Sequence, residues 1–450
     1  MRPVLGLVLL GVAASAVLAT PSEPAAAQEP QGIFPFEYRR VDLDNGFRAY
    51  LIHAGAPGQI AYLSVVRTGA RDEVEPGRSG YAHFFEHMMF RGTKKYPNYD
   101  GITEKLGAFR NANTSNDRTA YYVVANTEYL DQVMDLESDR FKNLDYSEEG
   151  FRTEAGAILG EYQQGAYSAY SMLDRAVRET AFQRHTYRHQ TIGLEADVRS
   201  MPEGYEYSRG FFHRFYRPEN VVLLLVGDMD FDETEAMIHR YYDDWAPGYE
   251  APAIPAEAPQ KAPRTDTVRY GGRTLPMLSY NWKSPAWSPT DKSAVATEVL
   301  GRVAFGPNSE VYRRLVIQEQ RLQGLGAGFG LDRDPSLVSL TAMVKDPADL
   351  DAIRAELDAA VARAREELVD DKLLADTKSA MKYGYLMRLE TAQNVAFSLI
   401  APVVNTGSLE AVNDYYRTLD ALTPEDIRQA ARTVLMDSGL TRVTLLQGEG

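Results

Sequence analysis

The residues His83-Phe84-Phe85-Glu86-His87 are the part of this sequence best equipped to do chemistry. On a helix, at about 100° per residue, positions 83 and 87 lie one turn apart on one stripe, with position 86 beside them. Two neutral imidazoles at i and i+4 can hold one zinc ion, and a neighbouring carboxylate that stays off the metal can act as a base on the water it activates. The order reverses the commoner H-E-x-x-H arrangement. With only seven histidines in the chain, composition alone seldom produces such a pentad. The competing reading is a core helix whose histidines are satisfied by local carbonyls.

A catalytic zinc needs a third protein ligand and an open position. The chain has no cysteine, so thiolate ligands, disulfides and lipidation of an N-terminal cysteine are all excluded. Glu161 is the candidate third ligand, 74 residues after His87 in EAGAILGEYQQ, a stretch that reads as helix from Phe151 to Gln164. Glu154 precedes it by two turns on the same face, where it can accept a hydrogen bond from a ligand imidazole and fix its tautomer. Taken alone, both could equally be solvated helix carboxylates. His185 and His189 repeat the i, i+4 spacing, but Thr-Tyr-Arg separates them with no acid alongside, so they read as a loop. Gly324, Gly326, Gly328 and Gly330 lack the Lys-Ser/Thr of a phosphate loop and read as small residues in a packed strand.

The elements that must position these residues follow from periodicity. Tyr38 to Ile52 reads as strand, turn, strand about Asn45-Gly46, and Ala61 to Thr68 as a further strand. Gly69 to Ser79 is a loop delivering the chain into the helix of the pentad. Glu128 to Asn143 carries apolar residues at helical spacing, and Asn220 to Val226 is a near-continuous apolar strand. The segment from Ala246 to Arg264 contains five prolines and many alanines, which predicts an extended linker. We expect domains over 33–246 and 266–450, joined by a linker over 247–265. The halves echo one another: Met201-Pro202-Glu203 and Thr423-Pro424-Glu425 each open a helix, followed by a strand closing at Gly227 and Gly448. This predicts a duplicated α/β fold in which only the first copy carries the pentad.

Composition narrows the setting. Hydrophobic content of 44% and charged content of 25% are those of a globular protein, and a net charge of −15 argues against nucleic acid as a partner. Residues 1–27 read as an export signal: Arg2, an apolar run from Val4 to Ala19, then Ala25-Ala26-Ala27 before Gln28. The run is short for a membrane span and no stop-transfer segment follows, so no stable span is expected after cleavage and the location is periplasmic or secreted.

Several of these stretches together resemble the inverzincin metallopeptidases, the family of pitrilysin, insulysin and the mitochondrial processing peptidase. Gly80 to Thr93 (GYAHFFEHMMFRGT) is similar to the family's metal helix and its exit, and Glu154 with Glu161 reproduces its E-x6-E pair. Asn111-Ala112-Asn113-Thr114-Ser115 resembles the edge strand beside its metal, and Tyr216-Arg217-Pro218-Glu219-Asn220 its domain-closing segment. The resemblance implies two similar domains, each a mixed, mostly antiparallel sheet packed by helices, forming half of a clamshell. It implies one zinc per chain held by His83, His87 and Glu161, with Glu154 in support and Glu86 as general base. Asn111 and Ala112 would bind substrate backbone, and the reaction would be endopeptidase hydrolysis of peptides or flexible segments. The alternative is a non-catalytic scaffold subunit of the same fold. The family presents an arginine and a tyrosine seven residues apart in its second half, but here Val316 and Gln323 stand at those places, flanking Glu319-Gln320. The departure implies a catalytic subunit whose homologous, non-catalytic partner supplies the pair, or otherwise a homodimer. Tyr385 and Arg388 are the substitutes available within the chain.

Overall fold

A computed structural model describes residues 32–448, Tyr167 excepted, so the expected export signal lies outside the described residues. The unbroken apolar run from Val221 to Val226 forms β6 (Val221–Gly227), a strand buried along its whole length. Leu223 and Leu225 join one core with Ala49, Leu51 and Tyr62, while Val222, Leu224 and Val226 join another on the opposite face. Burial on both faces explains why the strand shows no alternation.

β6 lies inside a six-stranded sheet with β1 (Tyr38–Asp42), β2 (Arg48–His53), β3 (Gln59–Val66), β4 (Phe109–Thr114) and β5 (Thr119–Asn126), in the order β1-β2-β6-β3-β5-β4. Only the β2–β6 pair is parallel. A five-stranded sheet follows, made of β7 (Arg264–Tyr270), β8 (Met277–Lys283), β9 (Leu322–Phe329), β10 (Leu337–Val344) and β11 (Thr441–Gln447) in the order β7-β11-β8-β10-β9. Here only β7–β11 is parallel. From β2 and β7 onward, strand order and direction are the same in both sheets. The weak echo in the sequence is therefore a repeated topology, with β1 added to the first copy. Gly324, Gly326 and Gly328 fall within β9, but with open space about them rather than close packing, and Gly330 lies beyond its end. The β1–β2 hairpin forms, although its loop is longer than a two-residue turn and closes between Leu43 and Phe47.

Helices cover the sheets. In the first half these include α1 (Tyr81–Met88), α2 (Tyr99–Lys105), α3 (Leu130–Asn143), α4 (Glu148–Ala166) and α5 (Ala169–Ala181). One core extends from the first sheet through the helices Ala392–Ser398 and Ile400–Thr406 into the second half, so the halves share buried surface. α5 adds to the junction, because its Leu173, Ala176 and Val177 pack on Met277, Val443 and Leu445 of the second sheet. The Pro-rich segment contains no helix or strand between residues 245 and 261. It is docked rather than free: the Glu257 carboxylate accepts from the backbone N–H groups of Gln183, Arg184 and His185. Among the described residues no single helix is long and apolar enough to cross a membrane.

A polar seam joins the β9–β10 loop to the first half. Asp334 Oδ2 accepts from Arg71 Nε at 2.6 Å and from His185 Nε2 at 3.0 Å. Asp117 accepts from Arg333 N at 2.8 Å and from Tyr187 Oη at 2.7 Å. The hydrogen bond from His185, reinforced by Arg71, holds the Asp334 carboxyl well below the usual carboxylate range. A depressed carboxylate stabilises the fold above its unfolded pKa of about 3.9, and that contribution is lost as pH falls toward the folded value. Replacing Asp334 with Asn is expected to cost about 2 kcal/mol at pH 7, less than for a fully buried pair. Urea unfolding should show the cost shrinking below about pH 4, whereas a pH-independent cost would contradict this assignment.

Candidate metal centre

The loop before α1 ends in Gly80, whose φ of 92° is left-handed. A Cβ at this position would stand 2.6 Å from the Ile192 carbonyl oxygen, so the helix can start here only from glycine. The buried Glu73 carboxylate accepts from Gly80 N at 2.8 Å and Ala82 N at 2.7 Å, satisfying amides at the helix start. Burial pushes its carboxyl up to about 8 despite those two bonds. Phe84 and Phe85 turn into the core, Phe84 against Phe151 at 5.0 Å and Phe85 stacked on Phe211 at 5.3 Å. Seating these rings directs His83, Glu86 and His87 toward the other side of the helix.

α4 packs across α1 through Phe151, Ala155 and Ile158, all fully buried. The flank of that same face brings Glu154 and Glu161 to the histidines. Glu161 Oε2 lies 3.7 Å from His83 Nε2 and 3.5 Å from His87 Nε2. The three donor atoms lie within 4.8 Å of one another. Metal–ligand bonds of about 2.1 Å in a tetrahedral site put ligand atoms about 3.4 Å apart, so this donor set fits zinc closely. Two nitrogens and one oxygen, with no sulfur, are also a ligand set that zinc accepts. Among the described residues this is the one such group of three.

The surroundings tune each member. Glu154 Oε1 lies 3.0 Å from His87 Nδ1, and its Oε2 accepts from Arg91 Nε at 2.7 Å. Since a carboxylate accepts, Nδ1 carries the proton and His87 Nε2 presents its lone pair toward Glu161. Burial works to raise the Glu154 carboxyl, but the bonds from His87 and Arg91 outweigh it and hold the group below its ordinary range. The same bond from Glu154 raises the imidazole of His87. His83 is more deeply buried, and burial with the nearby His87 lowers it to about 4, which keeps it neutral and able to ligate. Glu86 Oε2 accepts from Thr114 Oγ1 at 2.6 Å, and burial raises its carboxyl above the usual range.

β4 is the outer strand of its sheet and pairs with β5 alone. Asn111 is exposed on it, and its Oδ1 accepts from Ala112 N at 2.8 Å, covering that amide of the open edge. A cavity of about 580 Å³ lined by Glu86, His87, Glu154, Asn111 and Asp100 opens on one side of the three donors. A second, of about 430 Å³, opens beside Glu161. Neither Val316 and Gln323 nor Tyr385 and Arg388 line these cavities. Val316 packs on the shared core, Gln323 is exposed on β9, and Tyr385 is buried against Tyr416.

The structure corrects one reading and adds residues. His185 and His189 flank a buried 3-10 turn (Thr186–Arg188), and an acid does accompany them: Asp334 binds His185, and Glu73 lies 3.8 Å from His189 Nδ1. His185 Nδ1 accepts from Tyr187 N and Nε2 faces Asp334, so this ring has no free lone pair for a metal. Arg91 and Thr114, given no role from sequence, hold Glu154 and Glu86. Arg91 stands four residues after His87, a spacing that already puts it on the metal face. Thr114 carries no such signal, because its contact depends on how β4 lies over α1.

Replacing Glu154 with Gln is expected to weaken zinc binding about 10–100-fold, with Arg91→Ala moving it less in the same direction. Chelator competition measures both, and unchanged affinity in Glu154→Gln would remove the tuning role assigned to this carboxylate.

Known proteins resemble this chain over most of its length. The family model Insulinase (Peptidase family M16) matches residues 53–195, and that of the Peptidase M16 inactive domain matches residues 205–381. Zinc protease PqqE of Helicobacter pylori is 25% identical over 93% of this chain and 95% of its own length. The mitochondrial-processing peptidase subunit beta of Caenorhabditis elegans is 24% identical over 94% of this chain and 93% of its own. Among solved structures, a protease from Helicobacter pylori superimposes with a TM-score of 0.83 at 24% identity, covering 91% of this chain and 99% of that one. The periplasmic protease PqqL from Escherichia coli gives a TM-score of 0.77 at 21% identity, covering 91% of this chain but 48% of that longer one. With both family domains matched in order and the duplicated fold shared, the chain belongs to peptidase family M16, the insulinase family of inverzincins.

Proposed function

We propose that this chain is a zinc-dependent endopeptidase that hydrolyses peptides or flexible protein segments, with His83, His87 and Glu161 as metal ligands and Glu86 as general base. The observation that carries the reading is that one Glu161 oxygen faces both His83 Nε2 and His87 Nε2 at 3.7 and 3.5 Å. When bound there, zinc supplies Lewis-acid polarisation and lowers the pKa of water toward neutrality.

The remaining work falls to side chains of the chain. Glu86 is raised by burial, which makes it a better proton acceptor than an exposed glutamate. Thr114 holds its Oε2 and leaves Oε1 to take the proton of the attacking water and return it to the leaving amine. The peptide lies along β4 as an added strand, reading backbone rather than side chains. Asn111 Oδ1 must leave the Ala112 N–H as substrate arrives, so docking exchanges one hydrogen bond for another. A peptide has to be extended to do this, hence the preference for unfolded or flexible segments.

The Arg/Tyr pair missing at Val316 and Gln323 comes, in this proposal, from a second subunit of the same fold, either a homologous non-catalytic chain or a second copy. That this chain matches 48% of the longer PqqL chain supports a clamshell of two such units. Export to the periplasm or beyond is part of the same proposal, in keeping with residues 1–27 and with the periplasmic location of PqqL from Escherichia coli.

The competing reading is a scaffold of the same fold with no turnover of its own. The zinc-loaded chain, with partner where one is required, should cleave a quenched peptide, lose this with chelator and regain it with zinc. Glu86→Gln should keep its zinc and lose about 10³-fold or more in kcat. Equal residual turnover in both proteins, with zinc bound, would favour the scaffold.

A further inference from the structure

The cavity beside Glu161 contains an arginine whose charge has no partner. Arg175 lies on α5, and its guanidinium stacks over the Tyr162 ring at 4.9 Å. Among the described residues it makes no hydrogen bond or ion pair. The other charges of the cavity are committed. Arg178 Nε pairs with Asp174 Oδ2 at 2.9 Å, Gln190 Nε2 donates to the same Asp174 oxygen at 2.9 Å, and Glu161 faces the two histidines. The cavity therefore presents one unpaired cation to anything that enters it.

Its position matters as much as its charge. Asn111, near the start of β4, lines the cavity that also contains Glu86. Asn116, just beyond the end of β4, accepts through Oδ1 from Arg178 Nη1 at 3.1 Å, and Arg178 lines the cavity of Arg175. A peptide paired along β4 thus runs from one cavity to the other, passing the metal donors between them. α5 is well placed to hold Arg175 steady, since its Leu173, Ala176 and Val177 are anchored on the second sheet.

We propose that Arg175 determines substrate specificity: it selects peptides presenting a carboxylate in this cavity, on one side of the bond to be cut. The guanidinium fork matches a carboxylate with two parallel hydrogen bonds, and stacking on Tyr162 orients the fork in advance. An acidic side chain or a peptide C-terminus could supply that carboxylate. A lysine there would meet like charge. The inference rests on the peptidase reading for its substrate class.

The test uses the full-length, zinc-loaded chain, with its second subunit where turnover requires one, and peptides of one sequence carrying Glu, Gln or Lys at successive positions, each with a free or amidated C-terminus. Binding is read by fluorescence anisotropy on the Glu86→Gln protein, and turnover on the protein with Glu86 intact. At one position Glu should be favoured over Gln by roughly tenfold. Arg175→Gln should bring that ratio to about one, Arg175→Glu should turn it toward Lys, and Arg175→Lys should retain part of it. A ratio that survives amidation identifies a side chain as the source, and one that vanishes identifies the C-terminus. The same ratio in the Arg175→Gln protein, with its thermal midpoint unchanged, would overturn the proposal. Selective binding without Glu86-dependent turnover would sink the peptidase reading and leave this one standing.

Discussion

The packing of α4 across α1 is the contact on which the site depends. A helix alone can place two imidazoles one turn apart, but the third donor belongs to a different helix, 74 residues on. Phe84 against Phe151, with Ala155 and Ile158 fully buried, fixes the distance and rotation of the two helices. The same face then aligns Glu154 with His87 and Glu161 with both rings. Burying carboxylates so close to histidines is costly unless each is paired, and each is: Glu154 by His87 and Arg91, Glu73 by helix amides, Glu86 by Thr114. The apolar contacts supply the affinity between the helices, and the polar ones orient the donors.

Duplication explains the rest of the architecture. The two sheets share strand order and direction, yet the helix between β8 and β9, Lys292–Phe305, offers alanine, valine and leucine where α1 offers its histidines. The second copy instead gives surface. Its helices bury the back of the first sheet, its β11 carries the apolar face of α5, and its β9–β10 loop ties down the turn after β4. The edge strand beside the metal donors is thus braced from the far half of the chain.

What could be read from sequence was what depends on local geometry. His83, Glu86 and His87 were legible because helical spacing alone puts them together, whereas Glu154 and Glu161 read equally as solvated carboxylates until the E-x6-E resemblance singled them out. β6 was legible from its unbroken apolar run, and the duplication from a proline, a helix and a strand recurring at nearly the same spacing. Contacts across long separations left no such trace. Asp334 reaches His185 across 149 residues, and Thr114 reaches Glu86 only because β4 passes over α1. The proline-rich segment reads as a stiff spacer by composition, whereas Glu257, one acid within it, pins it to three consecutive amides.

The proposed chemistry requires one ion lying between three named atoms. Crystals of the chain grown with zinc, with diffraction recorded on either side of the zinc absorption edge, address this directly. An anomalous peak within bonding distance of His83 Nε2, His87 Nε2 and the Glu161 carboxylate, one per chain, is the predicted result. A protein that takes up no zinc, or one whose peak lies elsewhere with Glu161 turned away, would contradict it.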